Sequence, residues 1–346
     1  MEAPAAIPPV TPQSLYEEAL APVLRDLDRK ARRFSTLLNA ATFLAAPPAL
    51  LAAWRLHARH PDTERWILPL GFVLFGHLFM RIAFDGWWKR RFKRQILAPF
   101  VAASQDGVRY EPDGLVSQEV FVSSCLFPLR AHDYRGEDRV SGTNGEVRFE
   151  LSEIRARHCS KRWSPLQRID REAWVPLFRG LFFVADFSKG IQGTTLVLPR
   201  AVGALRDEVV KAIRRDSRGK RETVELEDPE FRRVFEVISD DQVQARYLLS
   251  PSLMSRLVEF QRDRREPLAL SLTGAKVFLA LFSSLDLFKP IPPREVREAL
   301  ASADGGKTML GRLGAYSQDL RFGRDLVEEL NLNVRIWSRR DQEDSR

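Results

Sequence analysis

The chain has 346 residues, with 54 Lys and Arg against 46 Asp and Glu, a formal net charge of +8. Hydrophobic residues at 44% exclude a disordered chain, and two cysteines exclude a disulfide scaffold and fit a reducing compartment. A mean hydropathy of −0.26 excludes a protein that is mostly membrane, but one or two spans fit inside such a polar average.

Residues 1–10, rich in Ala and Pro, are expected to be disordered. Thr11-Pro12 and the capping-box spacing of Ser14 and Glu17 predict a helix start. Leu15, Leu20, Leu24 and Leu27 form its apolar stripe, and Pro22 should bend it. Residues 1–33 are thus read as a tail and an amphipathic helix.

From Phe34 to Trp54 run 21 residues without an ionisable side chain. From Trp66 to Met80 run 15 with only His77, and extension to Phe84 gives 19 and takes in Arg81. At ~1.5 Å per residue both stretches come close to a hydrocarbon core of roughly 30 Å. Trp54, Trp66, Trp87 and Trp88 stand at the margins, where an aromatic belt is expected. Arg25, Arg29, Lys30, Arg32 and Arg33 precede the first stretch, and Lys89, Arg90, Arg91, Lys93 and Arg94 follow the second. The short loop from Arg55 to Arg65 has three Arg offset by Asp62 and Glu64. This positive-inside pattern predicts a two-span membrane hairpin over 34–88, with both termini cytoplasmic. The Lys89–Arg94 cluster would face an anionic leaflet.

Residues 89–346 are read as a cytosolic α+β domain. A helix over Phe92–Ser104 and a short one from Ser117 come first. Val147, Phe149 and Leu151 then alternate behind Asn144-Gly145, a hairpin signal. The alternation resumes out of phase at Ile154 and Ala156, which predicts a bulge. Leu177–Phe187, Thr194–Leu198, Glu222–Leu226 and Phe235–Ile238 read as further strands. Leu268–Leu272 and Lys276–Phe282 flank Thr273-Gly274-Ala275 as a hairpin. Helices are expected over Val202–Arg215, Asp241–Leu249, Ser252–Arg264, Pro293–Ala303 and Thr308–Leu330, and Arg214–Arg221 reads as a loop or boundary. Strands and helices do not alternate, so a mainly antiparallel sheet or partial barrel with packed helices is predicted.

Several segments, taken together, resemble a known family. They are LRAHDYRGEDRVSG (129–142), VRFELSEIRA (147–156), FRGLFFVADFSK (178–189) and TTLVLPR (194–200). VELEDPEFRRVFEVISDDQVQARYLLSPSLMSRL (224–257) and VEELNLNVRIW (327–337) follow. Their order over residues 14–337 resembles the bacterial family known as domain of unknown function 3137. The resemblance implies an inner-membrane protein with two N-terminal spans, a cytosolic region and no assigned activity. It also implies a LemA-type membrane protein as partner. Here Ser160–Trp174 is rich in Arg, Lys and Trp, where family members often have an acidic or aromatic segment.

Motifs for chemistry are sparse. Ala301–Thr308, ASADGGKT, matches a relaxed phosphate-loop pattern, with the LFFVAD run ending at Asp186 as an imitation of a Mg²⁺-binding strand. The segment before the loop reads as helix, so a glycine-rich interhelical turn is expected instead. Cys125, His132, His158 and Cys159 have the residue types for zinc at unsuitable spacings, so neither metal nor cofactor is predicted, and Cys125 is assigned to the core. Asp228-Pro229 and Asp240-Asp241 read as helix caps.

His132, Asp133, Tyr134, Arg135, Glu137 and Asp138, around Gly136, form the most plausible ligand-contacting stretch, with Asp241, Arg246 and Tyr247 as a second group. The arginines are interleaved with acids, so nucleic acid is not the expected partner. The leading expectation is a membrane-anchored module that binds a protein partner or an unidentified small ligand near the inner leaflet. A hydrolase-like membrane enzyme requires Asp133, Glu137, Asp241 and Arg246 to converge in one cleft. An accessory subunit of a membrane complex is the third reading.

Overall fold

The computed structural model describes residues 16–59, 64, 67–104, 107–144, 147–164, 169–200, 221–264, 266–283, 288–302, 304, 306–314 and 316, without the side chains of 161–172 and 187–192. The expectations for residues 1–15, Gly145, Trp66, Val202–Arg215, most of the Arg214–Arg221 boundary and residues 317–337 lie outside these. The chain divides into a unit of residues 1–104 and 289–315 and a unit of 105–288 and 316–346.

The first unit is helical. A π-helical turn, Tyr16–Leu20, leads into α1, Ala21–Arg59, and α2 spans Ile67–Phe92. A second π-turn, Lys93–Leu97, joins α2 to α3, Ala98–Ser104. Pro47 and Pro48 lie inside α1, each removing one backbone donor, and the helix runs on through them. The two long helices form an antiparallel pair, with Phe34 stacked on Phe84 at 4.6 Å and Thr42 bonded to His77. Both are long and apolar enough to cross a membrane. Their outward side chains are bare: Phe43 is 78% exposed and Phe72 81%.

The same unit is closed by α8, Pro293–Ala301. Arg297 Nε donates to the buried Asp28 of α1 at 3.1 Å, and Trp88 Nε1 donates to the Ile291 carbonyl at 2.9 Å. Trp88 is therefore a packing residue and not part of a belt, because its indole N–H has a protein partner. The ASADGGKT segment is an interhelical turn, as its helical flank predicts: α8 precedes it, and residues 306–314 are helical after it. A side chain at Gly306 would meet the Tyr16 ring, so the glycine serves packing.

The second unit is α+β around an antiparallel sheet, seven-stranded among the described residues. Its strands are β1, Val108–Glu111; β2, Asp133–Asn144; β3, Val147–Ser164; β4, Ile169–Pro199; β5, Glu222–Val224; β6, Phe235–Ser239; and β7, Leu268–Phe282. The order is β1-β2-β3-β4-β6-β5, with β7 also paired to β4, and the sheet stays open and does not close as a barrel. Helices α4 (Gln118–Ser123), α5 (Pro229–Val234), α6 (Gln242–Leu248) and α7 (Pro251–Arg264) connect the strands. Their caps follow from local chemistry. Ser117 accepts from Val120 N–H, Asp228 from Glu230 and Phe231 N–H, and Asp241 from Gln244 N–H.

Three sequence expectations change. The two strands expected over 177–198 are one strand, β4, along which the register shifts between Asp186 and Thr194. The hairpin expected at Thr273-Gly274-Ala275 is absent, because the strand pairs with β4 on both sides of it, from Leu270 to Phe282. Gly274 instead takes φ +61° opposite the irregular part of β4. The bulge lies on β2 at Asp138–Arg139 and not on β3. On β3 the change of phase marks a change of buried face. Ile154 and Ala156 join the cluster of Phe121, Phe178 and Phe182, whereas Phe149 stacks on Phe183.

Candidate functional site

The 132–138 segment opens β2, and its alternation divides its side chains between two faces. Tyr134 points to the core, where its hydroxyl donates to the Val116 carbonyl at 2.7 Å and its ring meets Phe121 at 5.3 Å. Burial raises its phenol pKa. Gly136 is on that face too, and a Cβ there would come 2.5 Å from the Glu153 carbonyl oxygen. Asp138 is fully buried at φ +63° and accepts a hydrogen bond from the Tyr110 hydroxyl. Burial first, and the Asp138 carboxylate second, push the Tyr110 phenol far up. These residues therefore hold the strand and its bulge together.

The outer face carries the groups open to a ligand. Asp133 accepts from Arg135 Nε at 2.8 Å and from Arg157 Nε at 2.7 Å. The Arg157 hydrogen bond, with Arg135 beside it, holds the Asp133 carboxyl below the usual carboxylate range. The Arg157 guanidinium lies 5.1 Å from the ring centre of Trp174, which is 47% exposed. By the same alternation His132 and His158 fall to the Tyr134 side, at its open end. His132 Nδ1 accepts from Cys159 N–H at 3.0 Å, its ring lies 4.9 Å from that of His158, and His158 Nδ1 donates to the Arg130 carbonyl at 2.9 Å. Glu137 is exposed on the Asp133 side. The result is a patch of alternating charge with an aromatic edge, suited to a polar or mixed-charge partner surface.

Arg157, His158 and Trp174 were not among the ligand residues expected from sequence. The signal for Arg157 was the hairpin register. A two-residue turn after Asn144 pairs Asp133 with position 158, and the β2 bulge moves the pairing to Arg157. Cys125 was assigned to the core but is only half-buried, at φ +58° beside the cluster. Among the described residues no group of three or more metal-ligating side chains occurs.

The second candidate group is elsewhere. Asp241 caps α6, while Arg246 and Tyr247 lie exposed along it. Asp240 accepts from Thr194 N–H at 2.6 Å. The 132–138 segment reaches β4 through β3 near Gly180, which faces Phe282 of β7. Asp241 follows Ser239, which pairs with Thr195, and Thr195 faces Leu272. The length of β7 between Leu272 and Phe282 is roughly 30 Å of strand. The cleft that would join Asp133, Glu137, Asp241 and Arg246 is therefore not formed.

Of the basic cluster at the end of α2, Lys89, Arg90, Arg91 and Arg94 are exposed, but Lys93 is buried at 3% exposure. Lys93 opens the π-turn, where the wider helical turn rotates the side-chain faces. Trp87, Arg90, Arg91 and Arg94 share one surface groove.

No curated protein matches the chain. One solved structure, the mycobacterial trehalose monomycolate transport factor A (TtfA), is similar at 10% identity and a TM-score of 0.32, over 66% of this chain and 92% of that one. A likeness that loose carries no argument about activity. Residues 176–332 match the family described as "Protein of unknown function (DUF3137)". The match includes LEDPEF and SDDQVQARYLL but neither the apolar helices nor the 132–138 segment. Over residues 176–332, under half of its length, the chain is similar to that family.

Proposed function

We propose that the chain is a membrane-anchored binding or scaffold module. The α1–α2 hairpin crosses the inner membrane, both termini are cytoplasmic, and the sheet unit presents a recognition surface. The observation that carries this reading is the bare apolar surface of the hairpin. Leu37, Phe43, Leu44, Phe72, Leu74 and Phe75 are all exposed, and a contiguous surface of that kind is not left open to water. Lys89, Arg90, Arg91 and Arg94 continue from α2 and meet an anionic leaflet, each charge contributing about 1 kcal/mol.

The candidate acids support binding over catalysis. Asp133 is fixed between two arginines, Asp138 accepts from Tyr110, and Asp228 and Asp241 are caps. None of these is poised as a proton carrier. The face of Asp133, Arg157 and Trp174 is the recognition surface, and its partner is a protein of the same membrane, the LemA type being the one the family resemblance names.

Carbonate extraction tests the anchor: the chain stays with the membrane, and release into the supernatant refutes insertion. Affinity purification from a mild-detergent extract tests the surface. A partner that co-purifies with wild type is lost on Trp174→Ala, and undiminished recovery with that variant removes the patch from the proposal.

A further inference from the structure

The helical unit holds a cavity of about 380 Å³ between α1, α2 and the start of α8. Asn39, His77, Arg81 and Asp85 line it from the two long helices, and Arg294 and Arg297 from α8. The stacked Phe34 and Phe84 form its apolar side. Arg297 is held by Asp28, and Arg294 pairs with Glu298 at 3.2 Å. Arg81 and Asp85 are different. They lie one turn apart on α2, yet neither has a hydrogen bond or ion pair among the described residues. The start of α8 is also open, with no side chain capping it.

The hairpin pairing places this cavity in depth. Phe34 meets Phe84 at the end of the apolar stretch, and Thr42 meets His77 further in. Arg81 lies between, about one turn or ~5 Å inside the edge. At that depth a guanidinium reaches outward to the level of the headgroup phosphates. A guanidinium suits a phosphate, which it can bond with two parallel N–H groups, and past Pro292 and Pro293, which have no N–H, the uncapped helix start offers those of Arg294 and Glu295. A purely anionic headgroup would find the arginines but leave the Asp85 carboxylate without a cationic partner from the lipid. A headgroup that also carries an ammonium pairs both charges.

We infer that this cavity binds the headgroup of an aminophospholipid, its phosphate on Arg81 and the α8 start and its ammonium on Asp85. The acyl chains then run along Phe34, Leu38 and Phe84. The inference rests on membrane insertion of the hairpin.

The test uses the full chain, extracted in mild detergent, delipidated and returned to nanodiscs of phosphatidylethanolamine or of phosphatidylglycerol. Native mass spectrometry after release counts the lipid retained. Wild type retains one phosphatidylethanolamine and little phosphatidylglycerol. Arg81→Gln and Asp85→Asn each lower that retention about tenfold, the loss expected for one charge-assisted bond. Arg81→Lys keeps an intermediate share, and a control at the exposed Arg109→Gln on β1 changes nothing. Equal retention of both lipids, or retention indifferent to Arg81 and Asp85 in variants that melt like wild type, overturns the inference. A chain that carbonate strips from the membrane refutes insertion and the lipid site together. A chain that resists carbonate but retains no lipid refutes only the site.

Discussion

Thr42 and His77 meet across the helical hairpin, hydroxyl oxygen to ring Nδ1 at 2.8 Å. The Thr42 hydroxyl has one proton and gives it to the Leu38 carbonyl at 2.8 Å. It therefore accepts from the ring, and His77 carries a proton on Nδ1. Thr42→Val leaves that N–H without a partner and lowers hairpin stability by about 1 kcal/mol. Thr42→Ser keeps the bond. Thermal unfolding of the full chain in detergent separates the two, and identical melting of the Val and Ser variants would contradict the assignment.

Tyr110 and Asp138 form a buried pair at the β2 bulge. Tyr110→Phe removes a donor from a fully buried carboxylate and costs about 1–3 kcal/mol. Asp138→Asn costs less, since Asn tolerates the left-handed backbone and still accepts from the phenol. Chemical denaturation ranks them. If Tyr110→Phe proves as stable as wild type, the bond does not hold the bulge.

Asp133 supplies a pH dependence. Its folded pKa is depressed, chiefly by the Arg157 hydrogen bond. The stability it contributes is fully present above the unfolded value near 3.9 and is lost as pH falls through the lower folded value. Asp133→Asn is thus less stable than wild type at neutral pH, and the gap closes in acid. Arg157→Met raises the Asp133 titration toward the ordinary range, which carboxyl carbon shifts report directly. A gap that widens below pH 4 would reverse the sign and reject the argument.

Two glycines predict opposite severities. A side chain at Gly180, φ +148°, would overlap the Leu281 carbonyl where β4 pairs with β7. Gly180→Ala must therefore break that pairing and costs well over the about 1–2 kcal/mol of Gly274→Ala, whose φ of +61° is strained but whose surroundings are open. Expression yield and melting temperature of the two variants decide it. Comparable losses would mean that space at Gly180 is not limiting.

What could be read from the sequence was mostly local. Ser117, Asp228 and Asp241 cap helices because each binds a backbone N–H only two or three residues away. The apolar helices were legible from runs of side chains with no charge. What escaped depends on partners distant in the chain. Trp88 is packed because its indole meets Ile291. Thr273-Gly274-Ala275 looks like a turn by residue type, but pairing with β4 keeps the chain extended on both sides. Asp133 was identified as a candidate without Arg157 or Trp174, because a one-residue bulge sets which β3 position faces it. Glu137 and Asp241 looked alike as acids, yet Glu137 lies level with Leu181 near the middle of β4 and Asp241 follows the residue paired with Thr195 near its end.

The clasp of Asp28 by Arg297 has a consequence for synthesis. Its two residues come from opposite ends of the helical unit's sequence, and residues 105–288 must leave the ribosome between them. At roughly 5–20 residues per second, that delay is on the order of ten to forty seconds. Throughout it Asp28 has Arg32 as its neighbour at 2.7 Å but not Arg297. The helical hairpin is thus an early product and α8 its late fastener, so a nascent chain halted before α8 would display a hairpin without its clasp.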